Sequence, residues 1–402
     1  MKQCDQVPAG EIRHRIQRCR KMMRKKGIGG LFVLQDVDLF YFLGFIPPAG
    51  GLYVPSEGNP LCFVCSDQAH GRPIPVDSPV RDGIEIQSLA DLPALISDVY
   101  GGIPSTLGYE LDVLPVNFFH YFLSLFPCQE HKDGSACILK VREIKSDWEV
   151  AQMENTGRLF QKVFQFAAAT VDSGMTEWEF AAELEAYAGS LSPGASVRIR
   201  DMQTEGYPWH VLSGKSGGLI GLLDSPASGE GTSAAFPCGA GNKRLAPHEP
   251  IMIDFSFHLN GYHMDVTRMF CMGTMPDKAM NASESAIHIH DTVLDHVKPG
   301  IMTGELFQRA QDKADSLGYG DAYLGLPGYK VSFIGHGIGL ELIENPIIAK
   351  NRNDRLEPGM TFALEPKLVF ENEFIAGIES VCLVTESGCR LISGVPVKIF
   401  IC

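Results

Sequence analysis

The sequence has no stretch approaching the roughly 20 consecutive apolar residues that a helix needs to cross a bilayer, so a membrane-spanning protein is not expected. It also lacks an apolar core near its N-terminus, and no secretory leader is expected. Positive charge is scarce: 34 Lys and Arg face 48 Asp and Glu, for a formal net charge of −14. Phosphate backbones and anionic lipid heads repel such a chain, which disfavours nucleic acid and membrane as main partners. A disulfide framework is missing too, because the 11 cysteines are odd in number and irregularly spaced. Cys62 and Cys65 form a lone C-x-x-C in the apolar run Leu61 to Cys65, without the second pair that a tetrahedral zinc site requires. They are expected as buried strand residues with reduced thiols. These features point to the cytoplasm, and to peptides or small molecules as partners.

What is present is enough apolar material, over 402 residues, for two domains. The basic run Arg13 to Lys26 is interleaved with Ile12, Ile16, Cys19 and Met23 at helical spacing, which predicts an amphipathic helix with a solvated basic face. A strand through Leu31 to Leu34 follows, then two strand-like runs around the turn Ser56-Glu57-Gly58-Asn59 and an apolar segment from Val116 to Phe126. The alternation predicts a small α/β domain over residues 1–143. The charged segment Lys140 to Ser146 marks a boundary, and a second domain spans 147–402. That domain opens on a long helix from Asp147 past Phe166, then a helix begun by the capping-box pair Thr176 and Glu179. Ser213 to Gly241, rich in Gly, Ser and Pro, reads as a long loop. Helices over Ala282 to His296 and Gly304 to Leu317 precede strand-rich sequence, which predicts helices against a largely antiparallel sheet.

The most informative segment runs from Ile251 to Thr267. Asn260-Gly261 is a hairpin-turn dipeptide, and a two-residue turn there pairs Leu259 with Tyr262, Ser256 with Asp265 and Asp254 with Thr267. Alternation then puts Ile251, Ile253, Phe255, Phe257, Tyr262, Met264 and Val266 on one face. Asp254, Ser256, His258, His263, Asp265 and Thr267 occupy the other. Two carboxylates become diagonal neighbours, a costly arrangement unless a cation or a shared proton relieves it. A solvated polar face carries acidic residues as readily as a metal site does, so the hairpin by itself leaves both readings open.

Three further segments bear on that choice. His336 lies between glycines in Gly335-His336-Gly337-Ile338-Gly339-Leu340-Glu341, where the glycines would let backbone approach an ion or substrate. Glu365 follows the strand Thr361 to Leu364 and precedes Pro366, which biases it to extended backbone. Glu379 sits in the apolar pattern of Ile378, Val381 and Leu383, where an unpaired carboxylate is costly. With the hairpin, these segments resemble the pita-bread metallopeptidases, the family of aminopeptidase P, prolidase, methionine aminopeptidase and creatinase. The resemblance rests on I-D-F-S-F-H-L-N-G-Y-H-M-D-V-T-R, G-H-G-I-G-L-E, A-L-E-P and G-I-E-S in that order. K-V-R-E-I-K-S-D-W-E is similar to the linker that follows the extra N-terminal domain of the prolidase, aminopeptidase P and creatinase branch.

The resemblance implies a creatinase/prolidase-like N-terminal domain, and an α+β pita-bread catalytic domain with a largely antiparallel curved sheet. It implies metal ligation by Asp254, Asp265, His336, Glu365 and Glu379, with Asp265 and Glu379 as bridging ligands. It also implies two divalent ions, a homodimer, Glu365 as the proton-transfer residue, and attack of a metal-bridged water on a peptide carbonyl. A donor set of four carboxylates and one imidazole suits manganese, cobalt, iron or zinc. Three positions depart from the family pattern: Cys238 and Ile343 stand where histidines are usual, and Gly377 where an arginine is common. Losing one oxyanion donor costs about 10² to 10³ in rate. Cys238, Ile343, His258 and His263 are therefore the candidate substrate-binding positions, with His210 a further candidate near the long loop. An Xaa-Pro dipeptidase or aminopeptidase-like hydrolase is the leading expectation. A metal-binding relative acting on a non-peptide substrate, and a non-catalytic binding protein on the same scaffold, are the alternatives.

Overall fold

The basic amphipathic run folds as α1 (Ala9–Lys26), with Ile12, Ile16, Cys19 and Met23 buried and Gly27 closing the helix in the left-handed region. These observations come from a computed structural model that describes residues 6–66, 81–192, 197–200, 209–222 and 225–402. The chain forms two compact units, Met1–Arg142 and Glu143–Cys402. No helix among the described residues is long and apolar enough to cross a membrane.

The first unit is a six-stranded sheet of β1 (Gly30–Val33), β2 (Gly50–Pro55), β3 (Leu61–Cys65), β4 (Arg81–Ile86), β5 (Thr106–Tyr109) and β6 (Glu130–Asp133), in the order β4-β3-β2-β1-β5-β6. The sheet is mixed: β1 runs antiparallel to β2 and parallel to β5. Helices α2 (Asp36–Leu43), α3 (Leu92–Tyr100), α4 (Val116–Leu125) and α5 (Ser135–Arg142) complete it. Phe32 anchors its core, stacking on Tyr109 at 5.5 Å and tilting against Phe122 at 5.0 Å. Cys62 and Cys65 are buried in β3, and none of the described cysteines is in a disulfide.

The second unit starts with α6 (Asp147–Thr170), whose N-terminus is closed by a reciprocal Ser146 and Glu149 capping box. The predicted box of Thr176 and Glu179 opens α7 (Glu177–Leu191) in the same way. Next come β7 (His210–Ser213), β8 (Ile251–Leu259), β9 (Tyr262–Cys271), α8 (Asp277–Leu294) and α9 (Thr303–Ser316). The C-terminal part holds β10 (Phe333–Gly337), β11 (Glu344–Ala349), β12 (Thr361–Leu364), β13 (Lys367–Phe370), β14 (Phe374–Gly377), β15 (Ser380–Val384), β16 (Cys389–Leu391) and β17 (Phe400–Ile401). These make sheets ordered β17-β9-β8-β7 and β11-β10-β12-β15-β16, and the hairpin β13-β14. All their pairings are antiparallel except β9 with β17.

Alternation in the β8-β9 hairpin decides what packs beneath it. Phe255 and Phe257 stack on Phe160 of α6 with ring centroids 4.8 and 4.2 Å apart. Each such ring, fully buried, contributes about 1.5–3 kcal/mol. The Gly- and Ser-rich loop is more ordered than its composition suggests, because its first residues form a 3-10 turn over Gly214–Gly218. Buried Glu177 at the start of α7 ties both ends of the loop. It accepts hydrogen bonds from Ser213 N at 2.6 Å and from Gly241 N at 3.1 Å. A carboxylate at a helix N-terminus also complements the helix dipole.

Candidate metal centre

The hairpin has the register its Asn-Gly turn predicts: Leu259 faces Tyr262, Ser256 faces Asp265 and Asp254 faces Thr267. Asn260 and Gly261 both have positive φ, 53° and 86°, as a tight two-residue turn requires. The polar face is not solvated, however. Thr267 and His263 are fully buried, and Asp265 keeps 8% of its surface. The face is covered by residues distant in the chain, among them Gly339 against His263 and Glu379 against Thr267.

His336 enters from β10, which lies between β11 and β12. Its flanking glycines let the neighbouring strands approach closely. A Cβ on Gly335 would meet Ala363 O at 2.3 Å, and one on Gly337 would meet Asn345 O at 2.2 Å. The His336 ring places Nδ1 3.0 Å from Gly337 O. Nδ1 therefore carries the proton and donates, leaving the Nε2 lone pair for a cation. That Nε2 lies 3.7 Å from Glu365 Oε1 and 3.9 Å from Asp265 Oδ2.

Glu379 lies at the junction of β14 and β15, where its N–H donates to Thr267 O at 3.1 Å. The Thr267 hydroxyl in turn donates to Glu379 Oε2 at 2.9 Å. Arg268, fully buried, donates to the Glu379 carbonyl at 2.5 Å and to the Val395 and Pro396 carbonyls at 2.8 Å, fixing the strand junction. Donor atoms of Asp265, His336 and Glu379 all lie within 4.8 Å of one another.

Lys367, which the sequence reading did not single out, stands among these carboxylates. Its Nζ donates to Asp254 Oδ2 and to Glu365 Oε2, both at 2.8 Å, and only 3% of its side chain is exposed. Glu365 and Lys367 are two residues apart in extended chain and so share a face. That spacing was the available signal, obscured by the intervening Pro366.

Electrostatics divides the site into two halves. Burial alone would raise the Asp254 pKa, but the Lys367 ammonium, helped by His210 across the β7-β8 ladder, outweighs it and holds the carboxyl below its usual range. His210 Nδ1 is 3.7 Å from Asp254 Oδ2. Asp265 and Glu379 go the other way. Burial first, and then neighbouring carboxylates, push both well above the ordinary range. A buried carboxylate pair in that condition takes up a proton or a cation. With His336 Nε2 aimed at them, the donors fit a divalent ion held by Asp265, His336 and Glu379.

The candidate substrate positions are more scattered. His263 is occupied structurally: Nδ1 donates to Gly339 O at 3.2 Å, and Nε2 accepts from Arg198 N at 3.1 Å. Burial, then His258, lowers its pKa to about 3, so it is neutral. His258 faces it across the ladder, ring centroids 4.8 Å apart. Cys238 is buried in the long loop, whereas Ile343 is 49% exposed. Gly377 lies directly opposite Lys367 in the β13-β14 ladder.

With this geometry in hand, comparison with known proteins is direct. Residues 151–386 match the family described as Metallopeptidase family M24, and residues 15–144 match the Creatinase/Prolidase N-terminal domain. An Xaa-Pro dipeptidase of Pyrococcus furiosus is 23% identical over 94% of this chain and 97% of its own length. An uncharacterized peptidase of Bacillus subtilis is 23% identical over 96% of this chain and 99% of its own. Among solved structures, the Xaa-Pro dipeptidase of Bacillus anthracis superposes with a TM-score of 0.78 at 22% identity, covering 97% of this chain and 100% of that one. The prolidase of Pyrococcus horikoshii gives 0.75 at 21%, covering 95% and 99%. These likenesses extend through both units.

Proposed function

The chain belongs to metallopeptidase family M24, and on that premise we propose that it is a metal-dependent hydrolase of peptides, with Xaa-Pro dipeptides as its first candidate substrates. One observation carries the reading: Asp265, His336 and Glu379 bring three ligand atoms within 4.8 Å of one another in a buried place, beside two further carboxylates. In this reading Asp265, His336 and Glu379 hold a divalent ion, with Asp254 and Glu365 beside it. Manganese, cobalt, iron and zinc all suit such an oxygen-rich set. When bound, the ion supplies Lewis acidity toward water and toward the scissile carbonyl.

The protein's own groups supply the rest. Glu365 keeps Oε1 toward His336 while Lys367 donates to Oε2. It is the carboxylate placed to take a proton from the attacking water and return it to the departing amine. Thr267 orients Glu379, and the Gly337 carbonyl orients His336. We assign residues 1–143 as a creatinase/prolidase-like domain and 147–402 as the catalytic domain. A cytoplasmic homodimer completes the proposal, the free thiols supporting a reducing compartment.

The test is hydrolysis of a panel of Xaa-Pro and non-proline dipeptides and tripeptides, with each of the four metals and with metal content measured on the same samples. Turnover of at least one peptide in metal-loaded protein is expected. Metal-loaded protein inert toward every peptide would remove the peptidase reading while leaving a metal site.

A further inference from the structure

We propose that the Lys367 ammonium is the resident cation of the Asp254 and Glu365 half of the site, so that the chain takes one divalent ion, at Asp265, His336 and Glu379, rather than two. The inference rests on the metal-site reading above and departs from the two ions that the family resemblance implies.

Three observations carry it. First, Nζ occupies the space between the two carboxylates, 2.8 Å from an oxygen of each. A first-row metal ion bound through those oxygens would stand about 2.0–2.2 Å from them. Ammonium and metal would then compete for the same lone pairs at repulsive separation. Second, the lysine is built in. Lys367 starts β13, faces Gly377, and its stem fills the room left by the missing side chain: a Cβ on Gly377 would stand 2.7 Å from Lys367 Cγ. Swinging the ammonium aside would strand a buried charge, which is costly without a partner. Third, the hydrogen bonds of Lys367 go to Asp254 Oδ2 and to one oxygen of Glu365, while Glu365 Oε1 faces His336 Nε2, which keeps its lone pair, and Glu379 receives its hydrogen bond from Thr267. Four carboxylates, one ammonium and one divalent ion leave a single negative charge, close to the balance two ions would give.

The chemical consequence is a site with one Lewis acid and one fixed ammonium. The ammonium donates to the carboxylate proposed for proton transfer and fixes the direction in which it points. Lys367 is thus a positioning residue for Glu365 and a replacement for a metal at Asp254.

Metal content settles the matter. Protein loaded with excess manganese and freed of unbound ion is analysed for metal per chain, alongside Lys367→Gly and Lys367→Met prepared identically. The expectation is one manganese per chain in the unaltered protein and two in Lys367→Gly, which opens the Asp254 and Glu365 oxygens. Electron paramagnetic resonance of the unaltered protein gives a second readout that needs no variant. Isolated manganese(II) gives a six-line spectrum, whereas two ions sharing a carboxylate give an exchange-coupled one. Two ions per chain with a coupled spectrum in the unaltered protein would overturn the inference alone. A Lys367→Gly chain that folds and still holds one ion would also count against it. No ion in the unaltered protein with any of manganese, cobalt, iron or zinc would instead sink the metal-site reading on which it rests.

Discussion

Gly377 stands opposite Lys367 in the β13-β14 ladder, and the lysine stem passes where a side chain at 377 would be. Gly377 does not have positive φ, so its smallness matters for space rather than backbone conformation. Gly377→Ala must displace Lys367 Cγ and, through it, the two 2.8 Å contacts to Asp254 and Glu365. We expect a loss of about 1–3 kcal/mol, as for overpacked interiors generally, read as a lower urea midpoint with unchanged slope. An unaltered midpoint would mean the lysine can lie elsewhere.

Thr267 donates to Glu379 Oε2 at 2.9 Å and pairs with Asp254. Thr267→Val keeps shape and removes the donor. Groups that orient a metal-binding side chain usually contribute about 10- to 100-fold in affinity, and a loss of that size is expected by competition with a chelator. Equal affinities in the two proteins would assign the hydroxyl no part in orienting Glu379.

His290 of α8 is fully buried, and burial lowers its pKa although adjacent Asp291 acts the other way. The folded chain therefore protonates it only at lower pH than the unfolded chain, which takes up a proton below about pH 6.5. The unfolded state binds more protons in that range, so this residue's stabilising contribution is present above pH 6.5 and declines as the pH falls. A single group of this kind contributes a slope of at most about 1.4 kcal/mol per pH unit. His290→Leu should flatten the acid side of the stability curve, measured by urea unfolding between about pH 7 and about pH 5. Parallel curves would show that His290 does not contribute.

In the first unit, Arg142 Nη1 meets Asp38 Oδ1 at 2.7 Å with side chains 2% and 0% exposed. Removing one member of a buried ion pair typically costs about 3–5 kcal/mol. Asp38→Ala should destabilise the chain by that order in thermal or urea unfolding. A change below about 1 kcal/mol, the range of an exposed pair, would contradict it.

Local rules made much of this molecule legible in its sequence. Alternation and Asn260-Gly261 specify the hairpin register without reference to anything distant, and the Thr176 and Glu179 box depends on only four residues. Local rules do not reach the cover over the hairpin's polar face, because Glu379 and Lys367 come to it from more than a hundred residues away; the family resemblance points to Glu379 but not to Lys367. Lys367 itself was hidden by context: a lysine after Glu-Pro reads as an ordinary strand residue until the fold brings Asp254 beside it. The glycines around His336 illustrate the same limit. Their sequence pattern indicates close approach, but only the folded sheet shows that Ala363 and Asn345 are what approaches.

The most direct test of the central claim, that the Asp265, His336 and Glu379 centre makes this chain a metal-dependent hydrolase, follows one preparation through removal and return of its metal. Hydrolysis of an Xaa-Pro dipeptide is measured before chelation, after chelation and dialysis, and after manganese is restored, with His336→Ala treated in parallel. The account predicts activity that disappears with the metal, returns with it, and stays low in His336→Ala throughout. Hydrolysis that persists undiminished in metal-free protein would contradict it.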